Sequence, residues 1–331
     1  MVTEEMVLTE YSYVSKDSIA NGVPDGIKII GAPEFWRKGH WGEGVTIAVI
    51  DTGCDINHQN LKDRIIGVRN FTDEDNGDVN IVNDYVGHGT HVAGIIAASD
   101  IGNGIIGVAP KANLLILKAL GAKGGNYFTV TNAIDYAINS KVDIISMSLG
   151  GKVDDDQLHK SIKNAVNKGI LVVCAVGNDG DNNSESMEIN YPAMYSEVIS
   201  VGSINSDKKS SIFSASNNEI DLVAPGQGIG NSGIISTAPS GRFAEMQGTS
   251  MATPHVAGAL ALIINWAKDE FKRKLTEVEL YAQLIKKTVS LGYSKSIEGN
   301  GMLFLGADEI ISRVLKNNKL FNELTNELIK Q

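Results

Sequence analysis

The chain has 331 residues, 43% hydrophobic and 21% charged, the balance of an ordinary globular protein. With 29 basic against 39 acidic residues its formal net charge is -10, which argues against nucleic acid and anionic membranes as partners. No apolar stretch has the length of a membrane span. The opening "MVTEEMVLTEYSYVSKDSIANG" lacks the basic lead and apolar centre of a secretory signal, so the expectation is a cytoplasmic protein. Its two cysteines, Cys54 and Cys174, then read as free thiols.

In chain order, residues 1–23 show no clear period and read as an N-terminal extension. Residues 24–316 read as the folded body, and residues 317–331 as a polar tail. Continuous apolar runs predict buried strands at Val45–Ile50, Leu114–Ala119, Val142–Met147, Ile170–Val176 and Val198–Gly202. Helical patterns cover His88–Ser99, Phe128–Asn139, Asp156–Lys168, Ser250–Trp266, Glu277–Val289 and Ala307–Leu315. In the third of these Leu158, Ile162 and Val166 share a face and Gly169 supplies the stop. Apolar strands alternating with helices predict an α/β fold, one large domain with a mainly parallel central sheet covered on both faces. Functional groups of such folds gather at the carboxyl ends of the strands.

Three glycine-flanked groups stand at such ends. "IAVIDTGCD" closes a strand on Asp51, "NDYVGHGTHVAG" puts His88 at a helix head, and "QGTSMATPHVAG" puts Ser250 at another. Taken singly, they are a turn carboxylate, a helix-start histidine and a capping serine. Pro254, tolerated only in a first helical turn, sets the helix start near Ser250, whose hydroxyl then meets backbone N–H groups and the positive dipole end. Taken together, a carboxylate, an imidazole and a hydroxyl are what nucleophilic acyl transfer requires, because a serine needs a base and the base needs an orienting carboxylate.

With the order Asp…His…Ser and the motifs "VIDTGCD", "GHGTHVAG" and "GTSMATPHVAG", the chain from about Pro24 to Leu305 resembles the subtilisin-like serine proteases. The resemblance implies an endopeptidase in which Asp51 orients the base, His88 is base and then acid, and Ser250 is the nucleophile. It implies that Asn178, in "CAVGNDG", donates to the oxyanion together with the Ser250 N–H, whereas an isolated Asn there would be a turn residue. His91 is expected to be structural; His58 and His255 receive no role. Substrate is expected to bind as an added strand along Gly124 and Gly125 and along Ser148, Leu149, Gly150 and Gly151. A primary pocket is expected between that second segment and Ala175, Val176 and Gly177. Asp179 and Asn190 bear on it, with large apolar side chains preferred and Lys or Arg tolerated near Asp179.

The segment "GIKIIGAPEFWRKGHWGEGVTIAVIDTGCD" resembles the intracellular branch of that family. That branch implies a homodimer and an N-terminal extension lying across the active site, so that residues up to about Ser18 are expected to occlude the groove. The branch's Leu-Ile-Pro-Tyr motif reads Leu8-Thr9-Glu10-Tyr11 here, without the proline. Calcium is expected at a weaker family site built from the carbonyls of Ala193, Tyr195 and Val198 and the carboxylates of Glu219 and Asp221. At the stronger family site the ligand aspartate is replaced by Asn60, and Ile101 stands where an amide is usual. "DEDNGD" (Asp73–Asp78) reads as a solvated turn. "QGIGNSGIISTAPSG", about five residues longer than in common family members, reads as a surface loop. Cys54 is expected close enough to His88 for mercurials to inhibit. A non-catalytic scaffold of the same fold would show a broken triad, and an α/β-hydrolase esterase would show G-x-S-x-G with the order Ser…Asp…His; neither pattern is present.

Overall fold

The computed structural model describes residues 11–14, 22–181 and 183–307. The strands in chain order are β1 (Tyr11–Val14), β2 (Thr46–Asp51), β3 (Ile65–Asn70), β4 (Asn113–Lys118), β5 (Leu120–Gly121), β6 (Gly124–Gly125) and β7 (Ile144–Met147). They continue with β8 (Leu171–Ala175), β9 (Ile199–Ile204), β10 (Leu222–Pro225), β11 (Ile234–Ala238), β12 (Arg242–Met246), β13 (Thr288–Val289) and β14 (Met302–Leu303). The helices are α1 (Asp25–Ile29), α2 (Ala32–Arg37), α3 (His88–Ala97), α4 (Tyr127–Asn139), α5 (Asp156–Asn167), α6 (Thr249–Phe271), α7 (Glu277–Ile285) and α8 (Lys295–Glu298).

Nine strands form the central sheet in the order β13-β14-β10-β9-β8-β7-β2-β4-β3, parallel throughout except at β13. The continuous apolar runs have a direct cause. Along β2, Ile47 and Val49 enter one core and Ala48 and Ile50 the other; along β4 the split is Leu114 and Ile116 against Leu115 and Leu117. Each strand therefore needs apolar residues at every position, not at alternate ones. The first core lies against α3 and α6 and the second against α4 and α5. Each fully buried aliphatic side chain contributes roughly 1.5–3 kcal/mol.

All five strands and the first five helices expected from sequence are found, with ends shifted by a few residues. The sixth expected helix falls outside the described residues apart from Ala307. Helix starts follow side-chain caps: Asn126 accepts from Thr129 N–H, Asp155 from Gln157 and Leu158 N–H, and Thr276 forms a capping box with Glu279. Two expectations are corrected. Part of the stretch read as a surface loop is strand β11, paired antiparallel with β12. The aperiodic extension contains β1, which pairs antiparallel with the other edge of β12, Tyr11 opposite Met246 and Val14 opposite Phe243.

This hairpin braces the helix that carries His88. Thr237 Oγ1 donates to Thr90 O and Ser236 Oγ donates to His91 O, at 2.7 and 2.8 Å. The approach is possible because position 94 is glycine: a Cβ there would lie 2.1 Å from Thr237 Oγ1 and 2.3 Å from Ser236 Oγ. Gly94→Ala is expected to destabilise the protein by about 1–3 kcal/mol through overpacking. Urea unfolding that shows no loss of stability would contradict this packing.

Candidate active site

Asp51, the last residue of β2, and His88, the first of α3, are each 1% exposed. His88 Nδ1 lies 2.7 Å from Asp51 Oδ1, which also accepts the Thr52 N–H at 2.7 Å. The carboxylate so placed selects the tautomer with the proton on Nδ1 and leaves Nε2 as the basic atom. Nε2 is buried and has no hydrogen-bond partner among the described residues. Burial disfavours the imidazolium, but the charge and hydrogen bond of Asp51, with the charge of Asp84 behind it, outweigh burial and lift the pKa above its usual 6.5.

Asp84 organises the loop that delivers His88. It accepts from Thr52 Oγ1 at 2.8 Å, from Gly87 N–H at 2.7 Å and from Thr90 N–H and Oγ1 at 2.8 and 2.6 Å. A cation missed in the sequence reading ties this loop to the sheet. Lys118, wholly buried at the end of β4, donates to Thr52 O and Asn83 O at 2.7 Å each and pairs with Glu74 at 2.9 Å. The available signal was a lysine inside the apolar run "LLILKA", which only a buried partner set explains. Glu74 belongs to the turn read as merely solvated.

Ser250 is the second residue of α6, and this helix packs along α3. Gly248, at φ 150 and ψ 164, holds a conformation open essentially to glycine alone and turns the chain into the helix. Pro254 lies in the second turn rather than the first, so its missing N–H deprives the Ser250 carbonyl of its helical partner. Ser148, just past β7, supplies the replacement: its Oγ donates to Ser250 O at 2.8 Å, while Ser250 Oγ donates back to Ser148 O at 3.1 Å. The Ser250 hydroxyl thus rests on a main-chain carbonyl instead of on His88.

Asn178 follows β8. Its Oδ1 accepts from Thr249 N–H and Oγ1 at 2.8 and 2.9 Å, which orients the amide and leaves Nδ2 to donate. Beside it a cavity of about 240 Å³ is lined by Ser148–Lys152, Ala175, Gly177–Asp179, Asn190, Thr249 and Ser250. Val176, expected there, is wholly buried against Ala215 and Ile220. Gly124 and Gly125 do not line it; they pair with Gly121 and Leu120 in the β5–β6 ribbon. Lys152 was not anticipated. Its ammonium pairs with Asp179, so the carboxylate expected to tolerate basic substrate residues already has a cation. A larger cavity of about 490 Å³ lies by Gly44, Asp143 and Gly169, at the amino ends of β2, β7 and β8 and therefore away from this chemistry.

The remaining candidates have structural partners. His91 Nε2 lies 2.9 Å from Ile234 O and 3.1 Å from Ala244 O, and burial lowers its pKa to about 3. His58 faces Arg242 O at 3.0 Å and His255 faces Met251 O at 2.8 Å. Cys54 and Cys174 are buried free thiols, both raised well above the usual thiol range by burial.

At the expected calcium site Asp221 already has protein donors. It accepts from Ser200 N–H at 2.8 Å on one oxygen and from Tyr281 Oη at 2.5 Å on the other, and burial raises its pKa. At the other family position, Asn60 Nδ2 donates to Ser99 O at 2.9 Å and Ile105 O at 3.4 Å, both unambiguous acceptors. Those carbonyls meet an amide hydrogen where a cation would need them.

A carboxylate-braced imidazole, a serine at a helix head and an oriented amide at the carboxyl ends of one parallel sheet define a serine hydrolase site. Residues 42–304 match the subtilase family, peptidase S8, and the chain belongs to that family. It is 53% identical over 321 residues to an intracellular serine protease of Paenibacillus polymyxa, covering 97% of each chain. It is 50% identical over 313 residues to the major intracellular serine protease of Bacillus subtilis strain 168, covering 93% of this chain and 97% of the relative. Subtilisin E of the same strain is 40% identical over 279 residues, 82% of this chain and 70% of the relative. No helix among the described residues is long and apolar enough to cross a membrane.

The raised His88 pKa gives opposite signs for stability and activity. Protonation of His88 stabilises the fold below about pH 6.5, and that contribution is lost as pH rises through the folded-state value. A base must be unprotonated, so kcat/KM for a peptide substrate is expected to rise with pH with its acid-side midpoint above 6.5. Asp84→Asn is expected to lower that midpoint. A wild-type midpoint below 6.5 would overturn the electrostatic reading.

Proposed function

We propose that this protein is an intracellular serine endopeptidase of broad specificity, with Asp51, His88 and Ser250 as its catalytic triad and a segment of its own N-terminus over the groove. The observation that carries the chemistry is the buried Asp51–His88 pair with Nε2 left unpartnered. Two relatives about half identical over nearly the whole chain are named intracellular serine proteases, which supports the location and the substrate class.

Ser250 turns from Ser148 O toward His88 Nε2, and Oγ attacks the scissile carbonyl carbon as its proton passes to Nε2. Asp51 stabilises the imidazolium but takes no proton. The new oxyanion receives Asn178 Nδ2–H and the Ser250 N–H, one of the first-turn donors that no helical carbonyl reaches. Collapse breaks the C–N bond as Nε2 protonates the leaving amine. Water then repeats the sequence on the acyl-enzyme and frees Ser250. Backbone pairing in the groove makes selectivity modest.

Ser250→Ala is expected to abolish casein hydrolysis while leaving thermal unfolding nearly unchanged; substantial residual activity would remove Ser250 from its role. Asn178→Ala is expected to lower kcat about 10²–10³-fold, the value found in subtilisin itself, with KM little changed.

The inhibitory segment is supported by β1. Its register places Tyr11 opposite Met246, four residues before Ser250 in sequence. Residues 1–10 and 15–21 lie outside the described residues. Deletion of residues 1–18 is expected to raise peptidase activity; an unchanged or lower specific activity refutes the covering role.

A further inference from the structure

The cavity beside Ser250 carries an ion pair among its lining residues. Three of its lining side chains form a hydrogen-bonded group. Lys152 Nζ pairs with Asp179 and donates to Ile189 O at 3.2 Å, while Asn190 Nδ2 donates to the other Asp179 oxygen at 2.9 Å. The three are held by backbone on each side. Gly151 and Tyr191 exchange N–H···O bonds of 2.8 and 2.7 Å, which holds Lys152 beside the segment bearing Ile189. Asn190 and Asp179 close over Gly177, where a Cβ would lie 2.2 Å from Asn190 Nδ2 and 3.0 Å from Asp179 Oδ1.

We propose that Lys152 is a specificity-determining residue, a solvent-exposed cation that occupies Asp179 and thereby excludes lysine and arginine as the substrate residue before the cut. The proposal rests on the endopeptidase reading given above. Burial works against the Asp179 charge, but Lys152 and Asn190 outweigh it and hold the carboxyl below its usual range, so the carboxylate is ionised throughout the working pH. A buried side chain entering the cavity removes water from around this pair and strengthens it. An apolar side chain meets a neutral ion pair at the end of its pocket and leaves it intact. A basic side chain has to displace the tethered ammonium before it gains the carboxylate, so a charge that by itself attracts Lys and Arg does not do so here. Sequence alone suggested a preference for large apolar side chains with tolerance of Lys and Arg; the bound cation removes that tolerance.

The test is a set of peptides differing only in the residue before the cut, Leu, Lys or Glu, each assayed for kcat/KM. The readout is the Lys/Leu ratio, which does not depend on the fraction of folded enzyme. Wild type is expected to favour Leu strongly. Lys152→Met, which keeps the apolar stem and removes the charge, is expected to raise the Lys/Leu ratio about tenfold, and Lys152→Arg to leave it near the wild-type value. The double variant Lys152→Met with Asp179→Asn is expected to lose the gain. A ratio unchanged within about twofold in Lys152→Met, or a gain that survives in the double variant, overturns the proposal. Failure of both wild type and the chain lacking residues 1–18 to cleave any of the three overturns the endopeptidase reading itself, and a wild type that prefers Lys overturns only the role of Lys152.

Discussion

Everything in this molecule that bears on chemistry depends on one buried contact, the carboxylate of Asp51 against the imidazole of His88. An isolated carboxylate buried this deeply is strongly disfavoured, and a buried imidazolium equally so. Each is tolerable because the other is there. The donors around them supply the rest: the Thr52 N–H binds Asp51 directly, and Asp84 gathers Thr52, Gly87 and Thr90 behind the ring. Lys118 then joins two loop carbonyls to the end of β4. Two atoms of the pair are left without a hydrogen-bond partner among the described residues, Asp51 Oδ2 and His88 Nε2, and of these the imidazole nitrogen is the base.

The nucleophile is held by a different device. A proline in the second turn of α6 is a local fault, since it strands a carbonyl inside an otherwise buried helix. Ser148 repairs that fault from the neighbouring strand end and receives the Ser250 hydroxyl in return. The exchange couples the end of β7, which lines the substrate cavity, to the head of the helix that carries the reacting oxygen.

At the two places where a family resemblance suggested calcium, protein groups donate to some of the oxygens. Asn60 presents an amide N–H₂ to loop carbonyls, and Tyr281 presents a phenol to Asp221.

The sequence by itself determined the parallel sheet and the family, and it set Asp51, His88 and Ser250 at strand and helix ends. Two-sided burial forces unbroken apolar strands, and the chemistry forces three residue types beside glycines at strand and helix ends. It did not determine β1, β11 or β12, because these short or glycine-rich segments become strands only by pairing with one another. It did not determine Lys118 or Lys152 as working parts either, since a lysine's role is set by the carboxylate or carbonyl it meets. Those partners lie far along the chain or across a cavity and come within reach only once the sheet has closed. Local pattern records which face of the chain is dry, whereas the tertiary fold decides which charges share the same dry space.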